Sequence, residues 1–422
     1  MSSDHPTVVI VGGGFGGLAA ARSLAGAPVK VVLIDRSNHH LFQPLLYQVA
    51  TSVLPPGHIA SPLRGLLSGS ENTTVLLGTV TGVDTAAKSV IVSNQDRVDV
   101  QVSYHYLILA TGQTHGYFGH DEYEQYAPGL KSLADAVALR NKILNAFERA
   151  EAEEDPALHK DLLTFVLVGA GPTGVEMASA IAVMVRSTLK RDFRRIDPSL
   201  ARIVLIDRGP RPLGTFAAEL SEAALKRLKK LGVEMISGVS VDAIDADGVT
   251  AGGQRIASKT VIWTAGVTPS LAGKWLGTPT DRAGRVLVGA DLSVQGHPEI
   301  FAIGDTMSLA QDGRPLPGVA QVAIQQGRYV GRSIVRGVSG QTPLPPFRYF
   351  DKGNLAVVGK GFAVLQRGKI RLSGYLAWLV WAAVHLEFLA QSSLRVSVLV
   401  QWLWTAVTNQ RGSRLIVKHH GQ

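Results

Sequence analysis

Two glycine-rich turns of one design constrain this chain more than any other feature. The first is Thr7-Val-Val-Ile-Val-Gly12-Gly-Gly14-Phe-Gly-Gly17, followed by an apolar run ending in Asp35. The second is Phe165-Val-Leu-Val-Gly169-Ala-Gly171-Pro-Thr-Gly174, followed by a run ending in Asp207. Each reads as strand, tight turn, helix, second strand and acid. In such a unit the first glycine permits the turn, the second lets backbone approach a pyrophosphate, and the third lets helix pack on strand. The helix N-terminus offers free N–H groups and partial positive charge to phosphates. The acid accepts from adenosine ribose hydroxyls. Gly12 to Asp35 spans 23 positions (35 − 12) and Gly169 to Asp207 spans 38 (207 − 169). The longer spacing fits an extended helix and loop through 184–198. One unit binds one dinucleotide, so two units suit a protein that passes electrons between a bound pair.

The chain has 422 residues, enough for two or three domains, and a 46% hydrophobic content that can fill large cores. It has no cysteine. That excludes disulfides, thiolate metal and iron–sulfur sites, and thiol redox chemistry. Residues 1–6 are short and polar and lead straight into a strand, so no secretory signal is expected. His39 and His40 lack partners at metal-ligand spacing, and no metal site is expected.

Charge is unevenly placed. The net charge is +9, and residues 348–422 hold ten Lys/Arg against two Asp/Glu, or +8. Trp378, Trp381, Trp402 and Trp404 lie in the same tail. Basic charge with apolar, Trp-rich sequence points to an anionic membrane surface. Nucleic acid fits poorly, because 372–389 is largely apolar.

The strand Tyr106-Leu-Ile-Leu-Ala110 runs into Thr111-Gly112, and Thr260-Val-Ile-Trp263-Thr264 runs into Ala265-Gly266. Each follows its glycine turn at a similar distance, so the repeat covers whole domains. Pro298-Glu-Ile-Phe-Ala-Ile-Gly304-Asp305 reads as a strand ending at a helix start. The expected architecture is α/β: two Rossmann-like dinucleotide-binding domains, the second inserted in the first, with a C-terminal membrane-anchoring helical tail. The expected divisions are 1–115 with 284–345 for the first dinucleotide-binding domain, 116–283 for the second, and 346–422 for membrane association. The tail is expected to carry strands around 354–365 and two apolar helices near 374–390 and 394–407.

These features closely resemble the two-dinucleotide-binding flavoproteins and, within them, the type II NADH dehydrogenases (NADH:quinone oxidoreductases). The paired glycine turns, Ala110-Thr111-Gly112 and Gly304-Asp305 carry the broad resemblance. Three segments carry the narrower one: Ala320-Gln321-Val322-Ala323-Ile324-Gln325-Gln326-Gly327, Gly169-Ala-Gly-Pro-Thr-Gly-Val-Glu176, and the tail with His385, Phe388, Arg395, Trp402, Trp404 and Gln410-Arg411-Gly412. Glu387 and Gln391 depart from the greasier first tail helix of that family.

The resemblance implies that Gly12, Gly14, Phe15, Gly16, Gly17 and Asp35 hold FAD. It brings Arg36, Gln48, Val80, Ala110, Thr111, Gly112, Gly304, Asp305 and Ala323 to the same cofactor. Asp305 also reads as a plain N-cap, and the two roles are compatible. Gly169, Gly171, Pro172, Thr173, Gly174, Asp207 and Gly266 would hold the nicotinamide donor. Asp207 favours NADH by repelling a 2′-phosphate, although Arg208 and Arg211 lie close enough to offset it.

Glu176 falls in the first turn of the second motif helix. The helix dipole alone favours a carboxylate there; the functional reading is a proton path to quinone. Gln321 and Gln325 share a helix face and can donate to quinone carbonyls without adding charge. The alternative is two exposed helix glutamines. His385, between Trp381 and Phe388, reads as a packing or interfacial residue.

The implied function is transfer of a hydride from NADH to flavin and of two electrons on to a membrane quinone, without proton pumping. Segment 372–391 is about long enough to span a bilayer, but His385, Glu387 and Arg395 favour helices lying in the interface. The protein is then monotopic on the cytoplasmic face of the cell membrane, in a respiratory electron-transport role. A homodimer built from the same helices is compatible. The rivals are a flavin- and NADH-binding sensor or scaffold with incidental turnover, and an NAD(P)H:ferredoxin-type reductase, which has no need of the Trp-rich tail. Removal of everything after Pro346 is expected to spare NADH oxidation by a soluble acceptor.

Overall fold

The computed structural model describes residues 5–94 and 97–417. The polar start at 1–4 and the last tail cation, Lys418, lie outside the described residues. The chain forms two compact units that interleave along the sequence. One comprises the stretch ending at Leu41, then Ser61–Thr114 and Val267–Lys352; the other comprises Phe42–Ala60, His115–Gly266 and the stretch from Gly353 onward.

The first unit is built on a six-stranded sheet in the order Ser293–Val294, His297–Ala302, Tyr106–Leu109, Thr7–Val11, Lys30–Asp35, Thr73–Leu77. Every pairing is parallel except that of the short Ser293 edge. Val8, Val9 and Ile10 are fully buried, as expected where helices cover both faces of a parallel sheet. The first motif helix, Phe15–Ser23, packs on the helix Ala320–Val338. Small residues set that approach. A Cβ on Gly327 would lie 2.2 Å from the Gly16 carbonyl oxygen, and one on Gly331 would lie 2.6 Å from Ser23 Cβ.

The second unit repeats the plan. Its parallel sheet runs Val233–Ser237, Arg202–Asp207, Thr164–Val168, Thr260–Trp263. Each unit adds a three-stranded antiparallel sheet, Thr79–Asp84 with Ser89–Ser93 and Val100–Ser103 in the first, and Val241–Asp245 with Gly248–Ala251 and Gln254–Ala257 in the second. The 38-position spacing between Gly169 and Asp207 is filled by the motif helix Pro172–Val183, a π-helical turn Met184–Thr188 and a loop.

The tail forms a three-stranded sheet, Asn354–Val357, Ala363–Arg367 and Ile370–Gly374, then the helices Tyr375–Phe388 and Ser392–Thr408. Among the described residues no helix is long and apolar enough to cross a membrane. The tail sheet is fastened to the second motif helix: Gly359 N donates to Ser179 Oγ (3.0 Å) and Val357 N to Glu176 Oε1 (3.2 Å). Val357, Val358, Ala363 and Val364 are buried. The tail strands are therefore core of the second unit. Removal of everything after Pro346 is accordingly expected to abolish soluble-acceptor activity, with a collapsed thermal unfolding transition as the check. Retained NADH oxidation would show that the unit folds without its tail.

Candidate active site: two dinucleotide cradles and an apolar cavity

The two glycine turns fold alike. Gly12 and Gly169 both have φ +103°, a backbone that side chains resist. A Cβ on Gly12 would lie 2.3 Å from the Ala110 carbonyl oxygen; one on Gly169 would lie 2.6 Å from Ala265 Cα. A Cβ on Gly17 would lie 1.8 Å from the Gly12 carbonyl oxygen, and one on Gly174 1.8 Å from that of Gly169, so only glycine lets helix approach turn there. Thus four of these glycines are required by the protein's own packing.

Gly14 and Gly171 differ. They cap their helices with φ −69°, which any residue adopts, and among the described residues no atom beyond the local backbone lies within 4 Å of a Cβ at either position. Neither helix has a side-chain cap. Packing does not call for glycine here. The open N–H groups and the clear space over them could take an anionic group such as a pyrophosphate.

The acids complete each cradle in the same way. Asp35 Oδ2 accepts from Gly13 N (2.5 Å) and Oδ1 from Ser37 N (2.6 Å). Asp207 Oδ2 accepts from Ala170 N (2.5 Å) and Oδ1 from Gly209 N (2.6 Å). Each carboxylate pins its loop and keeps lone pairs for ribose hydroxyls. Arg36 and Arg208 are exposed beside them, and Arg211 donates to the Phe216 carbonyl (3.3 Å).

Around the first cradle, Thr111 Oγ1 bonds Ser270 Oγ (2.5 Å) and Thr306 Oγ1 (3.1 Å), and Gly112 N donates to Thr306 Oγ1 (3.0 Å). Gly304 N donates to Oε1 of the fully buried Gln326 (2.7 Å). That glutamine holds the turn that carries Asp305. Ala323 sits against the same turn, with its Cβ 3.1 Å from where a Gly304 Cβ would be. Phe15 meets His40 edge-on at 5.2 Å. Burial lowers the His40 pKa, and its neutral Nδ1 donates to the Gly13 carbonyl (3.0 Å). Val80 is buried in the same unit. In the second unit, Gly266 lies where a Cβ would come within 2.2 Å of the Gly116 carbonyl oxygen. Pro172 and Thr173 open the motif helix and are exposed.

On the helix Ala320–Val338, Gln325 forms a two-point bond to backbone, Nε2 to the Phe350 carbonyl and Phe350 N to Oε1, both 3.0 Å. One Nε2 hydrogen is left over. Gln321 lies one turn earlier, half-buried.

The second unit also contains a cavity of about 110 Å³ lined by Tyr47, Gln48, Glu176, Trp378, Trp381, Trp402 and Arg411 among others. Gln48 belongs to this wall. Its Oε1 accepts from Trp402 Nε1 (2.7 Å), and its Nε2 donates to Tyr47 Oη (2.9 Å). The Tyr47 hydroxyl hydrogen finds no acceptor among the described residues. Burial and the nearby Glu176 push the Tyr47 pKa well above 10, so it stays a donor. Burial raises the Glu176 carboxyl to about 8, against which the bond from Val357 N is the weaker influence. Arg411, 4% exposed, donates to the Thr51 carbonyl (2.7 Å) and the Ala180 carbonyl (3.3 Å), and burial lowers it to about 10. Among the described residues its Nε has no hydrogen-bond partner, nor does Trp381 Nε1. His385 packs on Trp381 at 4.4 Å and donates from Nδ1 to its carbonyl (2.7 Å); burial depresses it to about 4 and keeps it neutral.

Tyr47 escaped the sequence reading, and Gln326 entered it only within the 320–327 segment, without a role. Tyr47 lies beside Gln48 in an unremarkable apolar stretch, and Gln326 adjoins Gln325 on another face of the helix.

A profile of the pyridine nucleotide-disulphide oxidoreductase family matches residues 6–327. The chain is 44% identical to the type II NADH:quinone oxidoreductase Ndh of Mycobacterium tuberculosis, over 97% of this chain and 90% of that protein. It is 43% identical to NdhA of the same organism, over 99% and 92%. In three dimensions it is similar to NDH2 from Plasmodium falciparum solved with NADH, at a TM-score of 0.90 and 19% identity, covering 98% of this chain and 100% of that one. Despite the disulphide in the broad family's description, this chain has no cysteine. The duplicated cradles, the fold and these identities lead to one assignment: the chain belongs to the pyridine nucleotide-disulphide oxidoreductase family and, within it, to the type II NADH:quinone oxidoreductases.

Proposed function

We propose that this protein oxidises NADH and passes two electrons through FAD to a membrane quinone, without pumping protons. The observation that carries the reading is the duplicated cradle, with Gly14 and Gly171 kept clear at two open helix N-termini. Gly12–Gly17 with Asp35 hold FAD, and Thr111, Gly112, Gly304, Asp305 and Ala323 support its flavin side. Gly169–Gly174 with Asp207 and Gly266 hold NADH. Bound flavin supplies the two-electron chemistry, accepting a hydride and releasing electrons one after the other or as a pair. Everything else falls to the chain. Backbone N–H groups neutralise the pyrophosphates, and Asp207 disfavours a 2′-phosphate.

Quinone reduction takes up two protons. Glu176, raised to about 8, holds one at the cavity wall at neutral pH. The Tyr47 hydroxyl, aligned by Gln48 and Trp402, donates to a quinone carbonyl there. Gln321 and the remaining Nε2 hydrogen of Gln325 offer neutral donors on their own helix. Tyr47→Phe is expected to lower quinone kcat/KM roughly tenfold, the scale of one lost hydrogen bond. NADH oxidation by ferricyanide should not change. Equal loss with both acceptors would give Tyr47 a structural role only.

The tail docks on the cytoplasmic face of the cell membrane. Exposed Leu376, Leu379, Val400, Leu403, Trp404 and Val407 support an interfacial seat for the two helices. The same surface serves a homodimer equally. The test of function is NADH consumption by FAD-loaded protein with detergent-dispersed quinone. Loss of NADH absorbance only when quinone is added supports the reading, and no consumption overturns it.

A further inference from the structure

The extra length of the second motif, residues 184–198, has no part in the cradle. It carries Arg186, Lys190, Arg191, Arg194 and Arg195 against two acids, Asp192 and Asp197. Both acids are engaged locally. Asp192 pairs with Arg414, and Asp197 accepts from Ser199 N (2.9 Å) and Ser199 Oγ (2.7 Å). Lys190, Arg191, Arg194 and Arg195 are exposed, and among the described residues none lies within 4.0 Å of a carboxylate oxygen, although Arg195 and Lys190 are near enough to Glu151 and Asp197 to help lower those carboxyls. Like charges this close are costly in a folded loop, so something must hold them together.

The holding element is Glu151, at the end of the helix Leu133–Ala152. Its carboxylate accepts from Arg194 N (2.9 Å), Arg195 N (3.0 Å) and Ile196 N (3.2 Å). Phe193 packs on Phe147 at 5.9 Å. The backbone is thus fixed from beneath while the cations stay exposed, with Arg194 folded back so that its Nη1 donates to the Arg191 carbonyl (2.8 Å).

The loop is also tied to the end of the last tail helix. Thr188 Oγ1 donates to the Asn409 carbonyl (3.1 Å), and Arg414 pairs with Asp192. Lys360 Nζ closes that helix end through the Ala406 carbonyl (2.7 Å) and Asn409 Oδ1 (2.9 Å). Trp404, Val407 and Leu415, 56%, 83% and 62% exposed, flank these tie points along the chain. A backbone-anchored group of exposed cations is therefore tied to the helix end that carries exposed apolar and indole residues.

We propose that residues 186–195 form a second membrane-contact element, which recognises anionic phospholipid headgroups at the edge of the tail's seat. This rests on the tail-docking reading above and adds four exposed cations from outside the tail to the +8 charge that residues 348–422 already carry. Apolar insertion is indifferent to headgroup charge, whereas surface cations respond to it and are screened by salt.

The experiment compares the full-length, FAD-loaded protein with a variant carrying Lys190→Gln, Arg191→Gln, Arg194→Gln and Arg195→Gln. Binding is measured to phosphatidylcholine vesicles and to vesicles containing phosphatidylglycerol. The variant should keep its affinity for neutral vesicles and lose roughly a hundredfold on anionic ones. Its ferricyanide activity should be unchanged. Undiminished anionic binding by the variant overturns the proposal and leaves the tail reading intact. Failure of the unmodified protein to bind either vesicle overturns the tail reading instead. As a check without mutation, amide exchange across 186–196 in the unmodified protein should slow on anionic vesicles only. Equal exchange on both vesicle types also overturns the proposal.

Discussion

Gly14→Ala yields a protein that folds and melts like the original but purifies without flavin, whereas Gly17→Ala fails to form a stable first unit. The two substitutions add the same methyl group three residues apart. At Gly14 it meets, among the described residues, no atom beyond the local backbone within 4 Å, and a backbone of ordinary φ. At Gly17 it falls 1.8 Å from the Gly12 carbonyl oxygen, part of the backbone, and the turn must open. Overpacking of that kind costs about 3 kcal/mol or more. The Gly14 methyl instead fills the space over the helix N-terminus, and FAD affinity should fall roughly a hundredfold, about 2.7 kcal/mol. The second cradle supplies an internal repeat, with Gly171→Ala raising the Kd for NADH and Gly174→Ala lowering Tm. Thermal unfolding and flavin content separate the cases. Normal flavin content in Gly14→Ala would mean that the open helix end does not carry the pyrophosphate.

Glu176→Gln should cut quinone turnover about a hundredfold, the usual scale for loss of a positioned acid, while NADH still reduces the flavin at its normal rate. The pH dependence gives the sign. The folded carboxyl titrates near 8 and the unfolded one near 4.5. Between those values the native state holds the extra proton, so stability falls as pH rises, by up to about 1.4 kcal/mol per pH unit. Below 4.5 the carboxyl is protonated in both states and imposes no penalty. Glu176→Gln should therefore be more stable than the original at pH 8 and indistinguishable at pH 4. Quinone turnover in the unmodified protein should decline through pH 8, and the variant should lack that decline. Denaturant melts and turnover at matched pH values check both. An unchanged alkaline decline in the variant would assign it to another group.

The cradles were legible in the sequence because their requirements are local. A turn with φ +103°, a close helix and an acid at strand's end must be written within one short segment. The fold follows from the same cues read twice. The packing of Gly327 against Gly16 was not legible, since nothing near either residue announces a partner 311 positions away (327 − 16). Gln326 was hidden in the same manner, by a bond to Gly304 that only the tertiary structure defines. Gln325 reads as a free donor from helix periodicity, yet most of its amide is taken up by Phe350. The tail misled by composition. Its tryptophans and charge suggest a detachable anchor, while strands Asn354–Val357 and Ala363–Arg367 alternate too briefly to reveal that they complete a core. The Trp402–Gln48–Tyr47 relay joins residues 354 positions apart and has no sequence signature.

The central claim is that electrons enter from NADH and leave to quinone through one bound flavin. The most direct measurement is anaerobic rapid mixing of the purified, yellow protein, first with NADH and then with a short-chain quinone. The flavin absorbance should bleach in the first step and return in the second, with one quinol formed per NADH oxidised. Flavin that bleaches with NADH but stays bleached in excess quinone would contradict the account, as would protein that binds no FAD at all.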